Sequence, residues 1–466
     1  MDRLPIELIS HVFTLGCDFP SFYAFTRSQF HPPWSANPLA GIEGRDSYRD
    51  WFRVTITSVS RSWREIAYST AELWSIIDIR LMGSSSDTPK AFVESCLKYS
   101  STKPLDISLS GHEATRILAI WEAIAPALRR CRSLHLLVPS QAFHGMSPLP
   151  KDLDLLEEAN FTAGGLVHDH LRGILSSDIF STPSSLPRLR RLRFRDLEEG
   201  MLSSSPLENL HDFTFESNII LKPSILARLR EVRHLVLNCR FPREAGFKPL
   251  ELPNLRTIEL HNDLVVNLIT APKLLRLAAQ GMGFSRMLKP ETFPNVREVE
   301  LQHSTLAIWP LYGFQDAPRH QLMPSVEIFR LPLQDLNSWR ISVSMLLDPN
   351  TAGTDAGVPH HPPVKFFPSL RILYCKEVSS TTFLGPDEAH FNTVRQYLDG
   401  LLIQLLRQRP LLSVVVTDAI MTPGRMEVLA PELRERVANS DAELETSVRS
   451  CRIGGAGKAL ADDLER

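Results

Sequence analysis

The sequence predicts an α/β chain: a short helical module at the N-terminus, then a long, irregular solenoid of parallel strands. Three observations predict this. Apolar residues recur at helical spacing near residues 4–13 and again over 51–67. Short alternating runs of the form Leu-x-x-Leu-x-Leu then return at intervals close to those of strand-and-return repeats. A proline commonly stands just before each run, where a strand has not begun and a missing N–H donor is tolerated. The boundaries read as residues 1–80 for the helical module, with an insertion at about 17–50, 81–420 for the array, and 421–466 for a polar C-terminal helix or tail.

In the first module, Leu4, Leu8, Ile9, Val12 and Phe13 form one apolar side of a helix. Pro5 suits the first helical turn, and Glu7 lies near the positive end of the helix dipole. Residues 17–50 carry Pro20, Pro32, Pro33 and Pro38 and read as a loop or irregular insertion. Helical spacing resumes through Ile56, Val59, Trp63, Ile66 and Ala67. Ser75–Leu81 then alternates like a strand. Helices this short need mutual packing or a partner to persist.

Within the array, aligning Leu192, Phe213, Leu235, Ile258, Leu277 and Val299 yields steps of 21, 22, 23, 19 and 22 residues. That spacing falls in the leucine-rich repeat range. Further strands are expected at Leu105–Leu109, Leu134–Val138, Val326–Leu331, Leu370–Cys375 and Leu411–Val416. The repeats are degenerate: Asn238-Cys239 fits the position that turns the chain out of the strand, but most other units lack that Asn. Steps near 22 residues favour irregular or short-helix returns over full crossover helices. The regularity fails between Ile328 and Ile372 and between Ile372 and Val414, where a surface loop at 350–359 and a helix at 394–406 are expected. Residues 139–186 read as a long insertion with a short helix.

The chain has 466 residues, 43 % of them apolar and 22 % charged, with a formal net charge of -2. This balance argues against nucleic acid as a partner. The six cysteines show no Cys-x-x-Cys pairing and read as reduced thiols. Neither a secretory signal nor a membrane span is expected, so the chain reads as cytoplasmic, nuclear or both.

Residues that could carry chemistry are sparse. His168-Asp169-His170 offers two metal-type ligands without a third. Gly454–Lys458 lacks the first glycine spacing and the Ser/Thr of a phosphate loop. Asp387–His390 has no phosphate loop before it, and His360-His361 lies in a proline-rich stretch. No catalytic residue, cofactor or metal is expected, and the chain reads as a binding protein rather than an enzyme. The strand surface is arginine-rich. Arg191, Arg193, Arg233, Arg256, Arg276 and Arg297 are candidates for contacting an acidic or phosphorylated target, against the plainer reading that they are solvated. Glu259, Glu298, Glu300 and Glu327 lie among them.

Leu4-Pro5-x-Glu7-Leu8-Ile9-x-x-Val12-Phe13 resembles the opening of an F-box, and Val59-Ser60-Arg61-x-Trp63-Arg64-x-Ile66-Ala67 resembles its later part. The run Ser69–Asp78 resembles the stretch just after the F-box in a large family of fungal, basidiomycete-type F-box proteins with degenerate leucine-rich repeats. Residues 17–50 separate the two halves. The resemblance implies a substrate-recognition subunit of an SCF-type cullin-RING ubiquitin ligase. Such a chain docks on a Skp1-like adapter, and through it on cullin, while the array binds a protein substrate. Carried over by position, Leu4, Pro5, Leu8, Ile9, Val12, Val59 and Trp63 become the adapter-binding candidates. A scaffold that uses the same modules outside a ligase is the alternative.

Overall fold

The computed structural model describes residues 5–17, 48–81, 88–164, 186–196, 202, 207–240, 250–261, 269–279, 293–301, 325–333, 367–377, 405 and 412–417. The chain is α/β and its main sheet strands pair in parallel. It divides into two compact units, Met1–Ile219 and Ile220–Arg466. The loop expected at 350–359, the tail from 421, nearly all of the 17–50 insertion and, apart from Leu405, the helix expected at 394–406 lie outside the described residues.

The first unit opens with α1 (Ile6–Cys17), α2 (Tyr48–Val59), α3 (Arg61–Ser69) and the short α4 (Ala71–Trp74). Pro5 stands just before α1, and its carbonyl accepts the first helical N–H groups, those of Leu8 and Ile9. The apolar run through 51–67 is split at Ser60, whose extended backbone ends α2 and whose hydroxyl accepts from the Trp63 N–H to cap α3. Ile9 and Phe13 of α1 are buried, and the Phe13 ring meets Trp63 at 5.2 Å between centroids. Thr70 donates to Ser10, and the Trp74 indole donates to the Ala67 carbonyl at 2.8 Å.

Arg53, on α2, ties these helices to the first strand. The residue is only 2 % exposed, and its guanidinium donates to the carbonyls of Leu73 and Ile76. It lies 5.7 Å from the Trp74 ring and 5.9 Å from the Phe92 ring. A buried cation is tolerated here because carbonyl dipoles and aromatic faces replace its water.

Six parallel strands follow in chain order: β1 (Ile76–Leu81), β2 (Leu105–Gly111), β3 (Cys131–Pro139), β4 (Glu158–Gly164), β5 (Arg191–Arg195) and β6 (Asp212–Ile220). Helix α5 (Thr88–Tyr99) connects β1 to β2, and α6 (Ala114–Ile124), continued by a 3-10 turn over Ala125–Arg130, connects β2 to β3. These are full crossover helices. The steps here, Ile77 to Ile107 to Leu134 in register, are longer than the spacing near 22 residues for which irregular returns are expected, and they leave room for crossover helices. Ile117, Ile120, Trp121 and Ile124 form the buried stripe of α6. Of the insertion with a short helix expected over 139–186, α7 (Ser140–Gly145) is that helix, but β4 is an additional strand. Inward residues pair across the strands, Phe161 with Phe194 at 5.7 Å and Phe194 in register with Phe215.

The second unit begins with the single turn α8 (Pro223–Leu226). Its main sheet runs β7 (His234–Arg240), β9 (Thr257–Leu260), β11 (Arg276–Ala279), β12 (Glu298–Leu301), β13 (Ile328–Leu333), β14 (Ile372–Glu377) and β15 (Ser413–Thr417), again all parallel. Two short strands, β8 (Leu250–Glu251) and β10 (Ile269–Thr270), pair separately. The aligned residues Leu235, Ile258, Leu277 and Val299 are register partners. Beyond them the register moves by one from the expected alignment: Val299 pairs with Phe329, and Leu373 with Val414.

The prolines have a definite place. In Leu186-Pro187-Arg188-Leu189, Leu252-Pro253-Asn254-Leu255, Ala271-Pro272-Lys273-Leu274, Phe293-Pro294-Asn295-Val296 and Phe367-Pro368-Ser369-Leu370, the fourth N–H donates to the first carbonyl. Each is a β-turn with its apolar ends buried and Pro at the second position, where φ near -65° is required. Asn295 donates to the Pro272 carbonyl at 2.7 Å and Ser325 to that of Pro294 at 2.8 Å, so turns also bond turn to turn.

Replacing Arg53 with Met leaves the buried Leu73 carbonyl and the part-buried Ile76 carbonyl without this donor. We expect a loss of about 2–4 kcal/mol in the stability of the first unit. Faster hydrogen exchange at the amides of α4 and β1 in Arg53→Met than in the wild type is the measurement.

Candidate functional site

Two surfaces bring the candidate residues together. The first is on the N-terminal helices. The apolar side expected for α1 divides in two. Ile9 and Phe13 turn inward, whereas Leu8 is 51 % and Val12 56 % exposed. Leu15, one further turn along, is 54 % exposed and continues the outer stripe. Pro5 is exposed, as is Val59 at the end of α2, and Trp63 is half-buried against Phe13. Leu4 lies outside the described residues. Ile6 and Val54 are also exposed, so six of the eight large exposed apolar side chains described belong to this module. Sequence reasoning missed Ile6, Leu15 and Val54; the spacing of Leu15 from Leu8 and Val12 was the available signal.

The second surface is the polar face of each sheet. Strand alternation sends Leu192, Phe194, Phe213 and Phe215 into the core and Arg191, Arg193, Arg195, Asp212 and Glu216 outward. The outward cations are answered by carboxylates on neighbouring strands. Arg191 meets Glu158 at 2.7 Å, Arg193 meets Glu216 at 2.5 Å, and Arg132 pairs with Asp106. In the second unit Arg276 pairs with Glu298 at 3.3 Å and with Glu300, and Arg330 also binds Glu298. Burial alone pulls the Arg276 guanidinium down, but Glu298 and Glu300 outweigh it and hold it above its ordinary value. Half of the six arginine candidates, Arg191, Arg193 and Arg276, are therefore already neutralised within the sheet.

The other three, Arg233, Arg256 and Arg297, occupy a different position. Each stands one residue before its strand, is exposed, and its guanidinium has no ion pair among the described residues. Arg371, before β14, shares all three properties and was not among the candidates. The signal was present, since Leu370-Arg371 repeats Leu255-Arg256 and Val296-Arg297.

The first unit's face also buries a titratable group. His135 on β3 has its Nε2 2.7 Å from the Ser133 hydroxyl and 3.8 Å from a Glu158 oxygen. Burial depresses its pKa; Glu158 and Asp106 oppose this without reversing it. The thiols of Cys131 and Cys239 are raised far out of the reactive range by burial, which leaves them inert packing groups. The two-histidine motif at 168–170, His360-His361, Asp387–His390 and Gly454–Lys458 lie outside the described residues. No described helix is long and apolar enough to cross a membrane.

No protein-family model matches this chain, and no curated protein matches it either.

A histidine whose folded pKa is depressed binds fewer protons folded than unfolded near its ordinary value of 6.5. Its contribution is fully present above that value and is lost as pH falls below it. We expect the first unit to melt at lower temperature at pH 5 than at pH 7.5. The His135→Gln variant should show a smaller drop between the two pH values than the wild type, in parallel thermal melts.

Proposed function

We propose that this chain is a substrate-recognition subunit of an SCF-type cullin-RING ubiquitin ligase. In this reading the N-terminal helices form an F-box-like module that docks on a Skp1-like adapter, and the strands behind them are the units of a leucine-rich repeat solenoid that captures a protein target. The chain itself performs no chemistry: it holds the target while the attached ligase acts.

The observation that carries the reading is the outer apolar stripe of α1, Leu8, Val12 and Leu15, together with Val59. Water-facing apolar groups concentrated on one small module mark a binding surface, because most of a monomer's apolar side chains find cover. The inner stripe, Ile9 and Phe13, packs the helix onto its own module, so α1 has one side for folding and another for a partner. Ile9 and Trp63 then shape the docking surface from beneath, and Pro5, Leu8, Val12 and Val59 meet the adapter. Sheets with parallel strands in chain order, several of them entered through the same proline turn, support the repeat half of the reading.

Charge placed on the outer stripe should abolish docking without unfolding the module. Substitutions at exposed sites cost at most about 0.5 kcal/mol of stability, whereas interface anchors each contribute about 2 kcal/mol or more to binding. The double variant Leu8→Glu, Val12→Glu should fail to co-elute with a Skp1-type adapter on gel filtration while keeping its circular dichroism spectrum. Undiminished co-elution would overturn the docking assignment. Recovery of cullin with the wild-type complex separates a ligase subunit from a scaffold.

A further inference from the structure

We propose that Arg233, Arg256, Arg297 and Arg371 form one binding rim for an extended acidic peptide that carries an apolar residue between its carboxylates. This deepens the target-capture half of the proposed function and is independent of the adapter-docking half.

The rim is set by the backbone. Each of these residues holds the same place in its repeat, immediately before the first paired residue of a strand. The Arg233 carbonyl accepts the N–H groups of Arg256 and Thr257 at 2.8 and 3.0 Å. The Arg256 carbonyl accepts those of Leu275 and Arg276, and the ladder continues through Leu275, Arg297 and Glu327 to Arg371 and Ile372. The row therefore reads Arg233, Arg256, Leu275, Arg297, Glu327, Arg371 across successive strands. Its backbone is pinned at each step, while the arginine side chains are exposed and unpaired among the described residues.

The contrast with neighbouring arginines is what singles out the row. Arg276 and Arg330, within the strands, are held by Glu298 and Glu300. Arg190 occupies the rim position in the first unit but commits its guanidinium to the carbonyls of Pro187, Leu189 and Asn209. In the second unit the rim cations keep their donors for something else.

The geometry selects the class of partner. Strands stand about 4.8 Å apart, so the five steps from Arg233 to Arg371 span about 24 Å, or about seven residues of extended chain. Steps between most of the cations are double, about 10 Å, which an extended peptide covers in about three residues. Leu275 is 37 % exposed at the centre of the row, between Arg256 and Arg297, and offers an apolar contact there. Glu327, and the carboxylates of Glu259, Glu298 and Glu300 on the adjoining face, oppose a broad polyanion such as nucleic acid. A single line of carboxylates interrupted by an apolar side chain fits, and guanidinium forks suit carboxylates in two-bond geometry.

The test uses the full-length chain and a fluorescein-labelled ten-residue peptide in which a central leucine is flanked by glutamates, read by fluorescence anisotropy. We expect saturable binding that weakens as salt rises. The variant Arg256→Glu, Arg297→Glu should lose about tenfold or more in affinity, Leu275→Glu should also weaken binding, and Arg191→Ser should match the wild type. Unchanged thermal melts for these exposed sites assign any loss to the rim. Equal binding by the rim variant, equal binding of a peptide with lysines for glutamates, or tighter binding of a single-stranded oligonucleotide would each overturn the proposal. The Leu8→Glu, Val12→Glu variant should bind the peptide as the wild type does, so failure of the docking model and failure of the rim remain distinguishable.

Discussion

The arrangement depends on one hydrogen-bond event that recurs at the entry to β5, β6, β9, β11, β12, β13 and β14. There the carbonyl of the residue before one strand takes two N–H donors from the entry to the next strand of the sheet. Glu157 serves Arg190 and Arg191, Arg190 serves His211 and Asp212, and the same pattern runs from Arg233 to Glu327 in the second unit. Both lone pairs of a carbonyl are used at a point where a parallel sheet would otherwise begin to fray. This double bond sets the register, and the register decides which residues turn inward. A slip of one residue would send Leu192 and Phe194 to water and bring Arg191, Arg193 and Arg195 into the core.

Electrostatics on the outward face follow from the same register. Arg191, Arg193, Arg276 and Arg330 each meet a carboxylate on the adjacent strand, either a register partner, as Glu158 is to Arg191 and Glu298 to Arg276, or a diagonal neighbour, as Glu216 is to Arg193 and Glu298 to Arg330. Exposed pairs of this kind contribute little stability each, about 0–1 kcal/mol. Their larger effect is to remove those cations from the population available to a ligand. Arginines that sit in the turn before a strand, as Arg233, Arg256 and Arg297 do, escape a cross-strand carboxylate among the described residues. The N-terminal helices make a similar division on a smaller scale, with Phe13 engaged by Trp63 and Val12 left over.

Much of this was readable in the residues. Alternation and proline placement marked the parallel strands on either side of β4, and the spacing of Leu235, Ile258, Leu277 and Val299 matched the register itself. β4 escaped because two of its three inward positions are Ala159 and Ala163, which carry weak strand preference and a weak apolar signal. Helix α6 has a clear stripe in Ile117, Ile120, Trp121 and Ile124, a helical spacing in the residues that the alternation of the strands on either side overshadowed. At β13 the adjacent Ile328 and Phe329 are both apolar and both buried, so alternation could not choose between them, and the backbone pairing chose Phe329. On the candidate surfaces, residue type located the arginines, but only cross-strand geometry separated the engaged ones from the available ones. The outward turn of Val12 likewise required the packing of Phe13 to be seen.

A proline turn before a strand closes within four residues, so its geometry needs nothing from the segment that delivers the chain to it. The path between Val299 and Phe329 is longer than that between Leu277 and Val299, yet both enter through equivalent carbonyl ladders and arrive in register. Excursion length and strand alignment are thus uncoupled variables. A lineage can lengthen, shorten or rewrite one excursion while the neighbouring strands keep their alignment.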